Sequence, residues 1–260
     1  MSEPILEAVG LYKSFGGVHA TDDLHLSVQP GELHAVIGPN GAGKTTLIAQ
    51  LCGAQFPDRG VVRLGGRDIT RMPAHRRAKL GMARSFQITS LIMDLSVRDN
   101  VALAVQATQG SSFRFVRSAR SEQVIQQQAM DTLNLVGLAH KASDPVAALS
   151  HGEHRRVEMA IVLASKAPLL LLDEPMAGLG AEESVKMVEL LQGLKGQRTM
   201  VLIEHDMDAV FALADRISVL VAGHIIATDT PEAIRTNTQV LAAYLGEDEA
   251  NDESAGAIHA

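Results

Sequence analysis

Gly38 to Thr45 read G-P-N-G-A-G-K-T, the pattern G-x-x-x-x-G-K-[ST] directly after a short apolar run, Ala35 to Ile37. That composition suits the binding of a phosphate chain in a P-loop. Glycines at 38, 41 and 43 let the backbone turn with its N–H groups inward, where side chains would block the phosphates. Pro39, Asn40 and Ala42 complete the loop. Lys44 supplies a point charge for the outer phosphates, and the Thr45 hydroxyl can ligate Mg²⁺, which takes few protein oxygens. A helix is expected from Lys44 through Thr45 and Thr46, its positive end adding to the anion site. A chance match is the alternative, and the strand-like run before and helical pattern after the loop argue against it. The loop implies a nucleoside triphosphate and leaves the use of its energy open.

A second chemical group lies about 130 residues downstream. Leu169 to Glu174, L-L-L-L-D-E, ends a continuous apolar run in two carboxylates. The pair permits a division of labour, Asp173 towards a metal and Glu174 polarising a water for attack on the terminal phosphate. Two acids merely capping a strand is the rival reading. Upstream, Ser150 and Glu153 of L-S-H-G-E form an S-x-x-E capping box, and Gly152 leaves backbone N–H groups open, so this helix start can hold a second anion.

The elements that must carry these groups are legible as alternation. Residues 5–9 and 24–28 read as strands, the second setting Leu24, Leu26 and Val28 against His25, Ser27 and Gln29. Val61–Leu64 and Arg67–Ile69 flank Gly65-Gly66 as a hairpin. Strand signals vanish between Leu91 and Leu149. There Ser96 to Asp99 is a helix start, and Ile125, Ala129, Leu133 and Val136 share one helical face closed by Gly137. Buried strands are then expected at Leu169–Leu172, Met200–Ile203 and Ile217–Val221, with helices at 181–194 and 206–214 and a last short helix from Thr230-Pro231. The fold class is α/β, a P-loop NTPase (RecA-like) with a mostly parallel sheet, an N-terminal antiparallel β subdomain and an inserted α-helical subdomain. Gly38, Asp173 and Glu204 fall at strand carboxyl ends, where such sheets bind ligands.

Composition narrows the function. Of the net charge of −7, five charges belong to Glu247, Asp248, Glu249, Asp252 and Glu253, in a tail without Lys or Arg. The body is therefore close to neutral, and no nucleic acid partner is expected from broad positive charge. One cysteine, Cys52, allows no intrachain disulfide, and its place on the P-loop helix suits a buried thiol. The acidic start M-S-E-P-I-L-E lacks the basic region of a signal peptide, and no apolar run approaches the ~18 residues of a membrane span. The expectation is a cytoplasmic protein whose membrane role comes through a partner. No N-K-x-D motif suggests a GTPase, and a P-loop kinase does not explain Leu149 to Glu153.

Together these motifs resemble the ATP-binding subunit of ABC transporters, over residues 4 to 246. The resemblance implies ATP and Mg²⁺ as cofactors and makes L-S-H-G-E the signature motif, Ser150, Gly152 and Glu153 closing over nucleotide bound at the P-loop of another subunit. Phe15, in L-Y-K-S-F-G-G, falls where the family stacks an aromatic on adenine, Tyr12 being the weaker candidate and core packing the alternative for either ring. Gln87, in A-R-S-F-Q, matches the glutamine that touches Mg²⁺ or the lytic water. With Thr45 and Asp173 it makes up the metal set. His205, in L-I-E-H-D, matches the histidine that contacts the terminal phosphate, making it and Glu174 the catalytic pair. Pro175 to Gly180 occupies the loop that couples the two sites. His151 stands where a signature glycine is usual, and Gly180 where Asp or Asn is usual.

The same resemblance divides the protein into a nucleotide-binding core with β subdomain (4–90 and 157–230), a helical subdomain (91–156), a C-terminal helix (231–246) and an acidic tail (247–260) expected to be disordered. A-R-S-F-Q, L-S-H-G-E-H-R-R-V-E, E-H-D-M and A-Y-L-G-E (Ala243 to Glu247) look like the ATPases of branched-chain amino acid, amide or urea importers. Implied partners are a second ABC ATPase subunit, a paralogue or another copy of this chain, and two integral-membrane permeases docking near Gln87 to Val101. A periplasmic or extracellular substrate-binding protein acts indirectly, and the subunit sits peripherally on the inner face of the membrane. A soluble ABC ATPase not coupled to transport is the alternative, although such proteins usually carry a long coiled coil or paired ATPase units.

Overall fold

In the computed structural model, residues 3–85, 91–108 and 119–243 are described. In sequence order the elements are β1 (Leu6–Phe15), β2 (Val18–Val28), β3 (Leu33–Ile37), α1 (Lys44–Cys52), β4 (Arg59–Leu64), β5 (Arg67–Asp68), α2 (Ala74–Lys79) and β6 (Met82–Arg84). There follow α3 (Val97–Thr108), α4 (Ala119–Leu135), α5 (His151–Ala164), β7 (Leu169–Asp173), α6 (Ala181–Leu194), β8 (Thr199–Ile203), α7 (Met207–Leu213), β9 (Arg216–Val221), β10 (His224–Asp229) and α8 (Pro231–Arg235). The protein divides into two units, one formed by residues up to Arg77 and from Lys195 onward, the other by Ala78–Leu194.

The first unit holds two sheets. An antiparallel one has the order β2-β1-β4-β5, and in the other β3 lies parallel to both β8 and β9, with β10 antiparallel to β9. Every residue of β3 and β8 is buried, as a strand covered on both faces requires. The first two strands are longer than the alternation suggests. Register shifts after Ala8, Leu11 and Lys13, with Asp23 at φ 47°, break the period-two pattern inside one hairpin closed by Phe15 and Val18. The β9–β10 hairpin also escapes a reading of the sequence. Its turn is Ala222-Gly223 with φ of 46° and 84°, a left-handed pair in which alanine is an unusual first residue.

In the second unit β6 runs parallel to β7, and α3, α4 and α5 pack on one another. Ile125, Ala129, Leu133 and Val136 are buried together, as their spacing requires. Gly137 follows at φ 71°, a left-handed stop for the helix. At the start of α3 the Ser96 Oγ accepts the Asp99 N–H at 3.1 Å and donates to the Asp99 carboxylate at 2.6 Å. Three residues for β6 and six for α2 are too few to show a period, which is why the pattern did not announce them.

Candidate nucleotide site

Within the first unit, the buried run of β3 leads directly to Gly38. A Cβ at Gly38 would stand 1.9 Å from the Leu220 carbonyl oxygen, and one at Gly43 2.0 Å from that of Ala20. Both clashes are with the protein's own backbone. The glycine requirement at 38 and 43 is therefore close packing of the loop on β9 and β2, and clearance for phosphate is not needed to explain it. Gly41 differs, since a Cβ there meets nothing within 4 Å and its φ of +78° carries the requirement. The loop is pinned by Gly223 N–H donating to Ala42 O at 2.9 Å and Asp22 N–H to Gly223 O at 3.0 Å. Gly43, as N-cap, offers no side chain to the first turn of α1, so those N–H groups remain suited to an anion.

Lys44 Nζ donates to the carbonyls of Gly38 and Pro39, which draws the ammonium across the loop. Thr45 is exposed and Thr46 half-buried at the same helix start. A hydroxyl there is the hard oxygen donor that Mg²⁺ accepts alongside phosphate and water. On the hairpin tip Phe15 is 47 % exposed, while the Tyr12 ring lies under the Arg59 guanidinium at 4.3 Å. Phe15 also has a cation near its ring, Lys13 Nζ at 5.6 Å from the centroid, so the difference between the rings is one of degree: Phe15 is the more exposed and Tyr12 the more closely covered. At the end of β8, Glu204 is buried and accepts the His205 N–H at 3.1 Å, and Asp206 caps α7 through the Ala209 N–H at 3.1 Å. With the residues on either side fixed, the His205 side chain stands 65 % exposed.

Two polar assemblies behind the loop went unread in the sequence. His34, fully buried on β3, bonds Glu32 Oε1 at 2.8 Å through Nδ1 and Ser218 Oγ at 2.7 Å through Nε2, and Ser218 meets the Thr228 hydroxyl at 2.7 Å. Burial pushes the Glu32 carboxyl up, but the hydrogen bonds from His34 and the Gln29 N–H outweigh it and hold its pKa below the ordinary value. The second is Arg77, at 0 % exposure, whose guanidinium donates to the carbonyls of Gln50 (2.8 Å), Leu51 (2.7 Å), Thr70 (3.0 Å) and Met72 (2.7 Å). It closes the far end of the P-loop helix. Nothing in A-H-R-R-A-K singles out Arg77 from Arg76 for this; only its burial does.

In the second unit, Asp173 is buried at the end of β7, and Arg84 Nη2 donates to its Oδ2 at 2.9 Å. Its N–H donates to Ser85 Oγ at 2.9 Å. Arg84 pairs with Leu171 in the β6–β7 register, so A-R-S is a bracket on the acidic strand end, a role its place in the sequence did not suggest. Glu174 follows with φ 48°, a left-handed conformation that costs a non-glycine residue about 1–3 kcal/mol and recurs at functional sites. At α5 the capping box is complete: Ser150 Oγ accepts the Glu153 N–H, and Glu153 Oε2 accepts the Ser150 N–H at 3.0 Å. The other Glu153 oxygen meets Lys141 Nζ at 2.7 Å, so this carboxylate serves the helix start itself. Gln87 lies outside the described residues.

Among the described residues no group of three or more His, Cys, Asp or Glu forms a metal cage. The available donors are instead single hard oxygens of the kind that complete a nucleotide-bound Mg²⁺. A protein-family model for the ABC transporter matches residues 21–177. The chain belongs to the ABC transporter family. It is an ATP-binding ATPase subunit of that family, and its fold is the expected one. A second model, for the branched-chain amino acid ATP-binding cassette transporter, matches residues 224–250.

Among relatives, the protein is 37 % identical to the high-affinity branched-chain amino acid transport ATP-binding protein BraF of Pseudomonas aeruginosa, over 95 % of this chain and 100 % of BraF. It is 36 % identical to the corresponding LivG protein of Escherichia coli K12, with the same coverage. Among solved structures it resembles the ADP conformation of an ATP-binding cassette of an ABC transporter, with a TM-score of 0.81 and 25 % identity over 94 % of this chain and all of that one. A nucleotide-free cassette matches with the same TM-score and identity over 93 % of this chain and 98 % of the other. Membership implies membrane permeases as partners. Among the described residues no helix is long and apolar enough to cross a membrane.

Proposed function

We propose that this protein energises the uptake of branched-chain amino acids as one ATPase subunit of an importer, held by its permeases at the inner face of the cell membrane. The observation that carries the substrate class is the match of residues 224–250 to the model for branched-chain amino acid cassettes. Full-length similarity to BraF and LivG agrees with it. The permeases dock near Gln87 to Val101, a second ATPase subunit completes each nucleotide site, and a binding protein delivers the solute.

In this reading residues 38–46 hold the phosphates, with Lys44 as the counter-charge, and Phe15 stacks on the base. Thr45, Asp173 and Gln87 would hold a Mg²⁺ arriving with the nucleotide, which would offset phosphate charge. Glu174 accepts the proton of the attacking water, and His205 orients that water and the terminal phosphate. Ser150 and Gly152 present α5 to the nucleotide held by the other subunit, with Glu153 securing the helix start. The domain boundaries carry over: core 4–90 and 157–230, helical subdomain 91–156, C-terminal helix 231–246 and acidic tail 247–260.

Reconstitution tests the substrate. Proteoliposomes holding this protein with its permeases and second ATPase should take up labelled leucine or isoleucine in an ATP-dependent manner, and uptake of neither would overturn the assignment. Glu174→Gln should keep ATP binding and slow hydrolysis by about 10²–10⁴-fold, and full turnover would remove Glu174 from the mechanism. Lys44→Ala should abolish nucleotide binding, and an affinity unchanged by calorimetry contradicts the P-loop role.

A further inference from the structure

The second unit contains a carboxylate lodged at the start of α5 that the roles above do not use. A Cβ on Gly152 would stand 2.5 Å from Glu183 Cγ, 3.0 Å from its Cδ and 3.1 Å from Oε1. Its other oxygen, Oε2, is 2.7 Å from where a Cβ on Gly180 would be. Glu183 therefore fills space that exists because both positions are glycine. A neighbouring contact has the same form, with His151 Nε2 2.9 Å from the Cβ position of Gly178. The start of α5 thus interlocks with the loop Pro175–Gly180 and the first turn of α6, His151 seated beside Gly178 and Glu183 on Gly152.

The local chemistry explains why Glu183 turns this way. Gly180 precedes the first residue of α6, and its carbonyl accepts the Ser184 N–H at 2.9 Å, so Gly180 is the N-cap and Glu183 stands at the third helical position. A glycine N-cap brings no side chain to the orphan N–H groups of the helix. An acid at the third position reaches back toward the cap and is favoured by the helix dipole. The same turn brings its negative charge over Gly152, at the positive end of a second helix, α5.

We propose that Glu183 gates the signature end of α5. This rests on the reading that Ser150 and Gly152 receive the terminal phosphate held by another subunit. That phosphate and the Glu183 carboxylate claim the same helix end, and both are negative. Closure of the ATP sandwich then requires Glu183 to swing into solvent, which its half-buried position permits. The gate raises the ATP concentration needed for closure, and it leaves the first encounter of nucleotide with the P-loop untouched.

Glu183→Gln separates charge from capping, because glutamine keeps the reach to the helix start and loses the charge. In the assembled transporter the variant should lower the half-saturating ATP concentration for hydrolysis by about three- to tenfold, the scale of one charge at a helix N-terminus. The gain should shrink as salt is raised. Affinity of the isolated subunit for a fluorescent ATP analogue should not change. An unchanged or higher half-saturating concentration overturns the gate. Gly152→Asp, which sets a fixed acid at the same helix end, distinguishes the two readings. Hydrolysis lost with analogue binding retained supports the signature role, so that a silent Glu183→Gln then removes the gate alone. Hydrolysis retained in Gly152→Asp overturns both.

Discussion

Replacing Arg77 by methionine would test how the far end of the P-loop helix is held. The guanidinium sits at 0 % exposure and donates to four backbone carbonyls, two of them, Gln50 and Leu51, in the last turn of α1. Each hydrogen bond to a charged group is worth about 1.5–3 kcal/mol net. Four such bonds overstate the loss, because methionine also relieves several kcal/mol of guanidinium desolvation. The Gln50 carbonyl additionally keeps the Gly53 N–H at 3.3 Å. The expected net loss is about 3–5 kcal/mol, the range found when one side of a buried charged contact is removed. For a protein of this size that corresponds to a fall in Tm of about 6–20 °C.

Thermal unfolding followed by circular dichroism reads the effect directly. Arg77→Lys should recover only part of the loss, since an ammonium has three donors and no planar fork. A fall below about 2 °C for Arg77→Met, under 1 kcal/mol on the same scale, would falsify the claim that these bonds anchor the helix.

Two further tests concern the same unit. The Glu32 pKa is held below its ordinary value in the folded protein, so the stability it contributes is present above the unfolded carboxylate pKa and lost as pH falls through the folded one. Glu32→Gln should accordingly lower the urea midpoint at neutral pH by an amount equivalent to about 1–3 kcal/mol. It should also flatten the loss of stability as pH falls below the unfolded carboxylate range; an unaltered acid slope would remove Glu32 from the linkage. Phe15→Ala should weaken ATP binding by about 1–2 kcal/mol, the scale of base–aromatic stacking. Tyr12→Leu should leave it nearly unchanged, and calorimetry giving the reverse ranking would reassign the adenine contact.

Local patterns were enough to find the motifs on their elements. The P-loop, the acidic strand end and the capping box each depend on residues adjacent in sequence, and the uninterrupted apolar runs reported strands covered on both faces. Those local relations are what composition and period encode. The tertiary structure decided everything that depends on distant residues meeting. It showed that Gly38 and Gly43 are required by the carbonyls of Leu220 and Ala20, and that Arg84 clamps Asp173 because β6 lies beside β7. It set Tyr12 closely under Arg59 while leaving Phe15 about half exposed beside Lys13, and it lodged Glu183 over Gly152. None of these contacts has a period or a fixed spacing, because each is fixed by packing between segments far apart in the sequence, and a sequence pattern records only what neighbours along the backbone require.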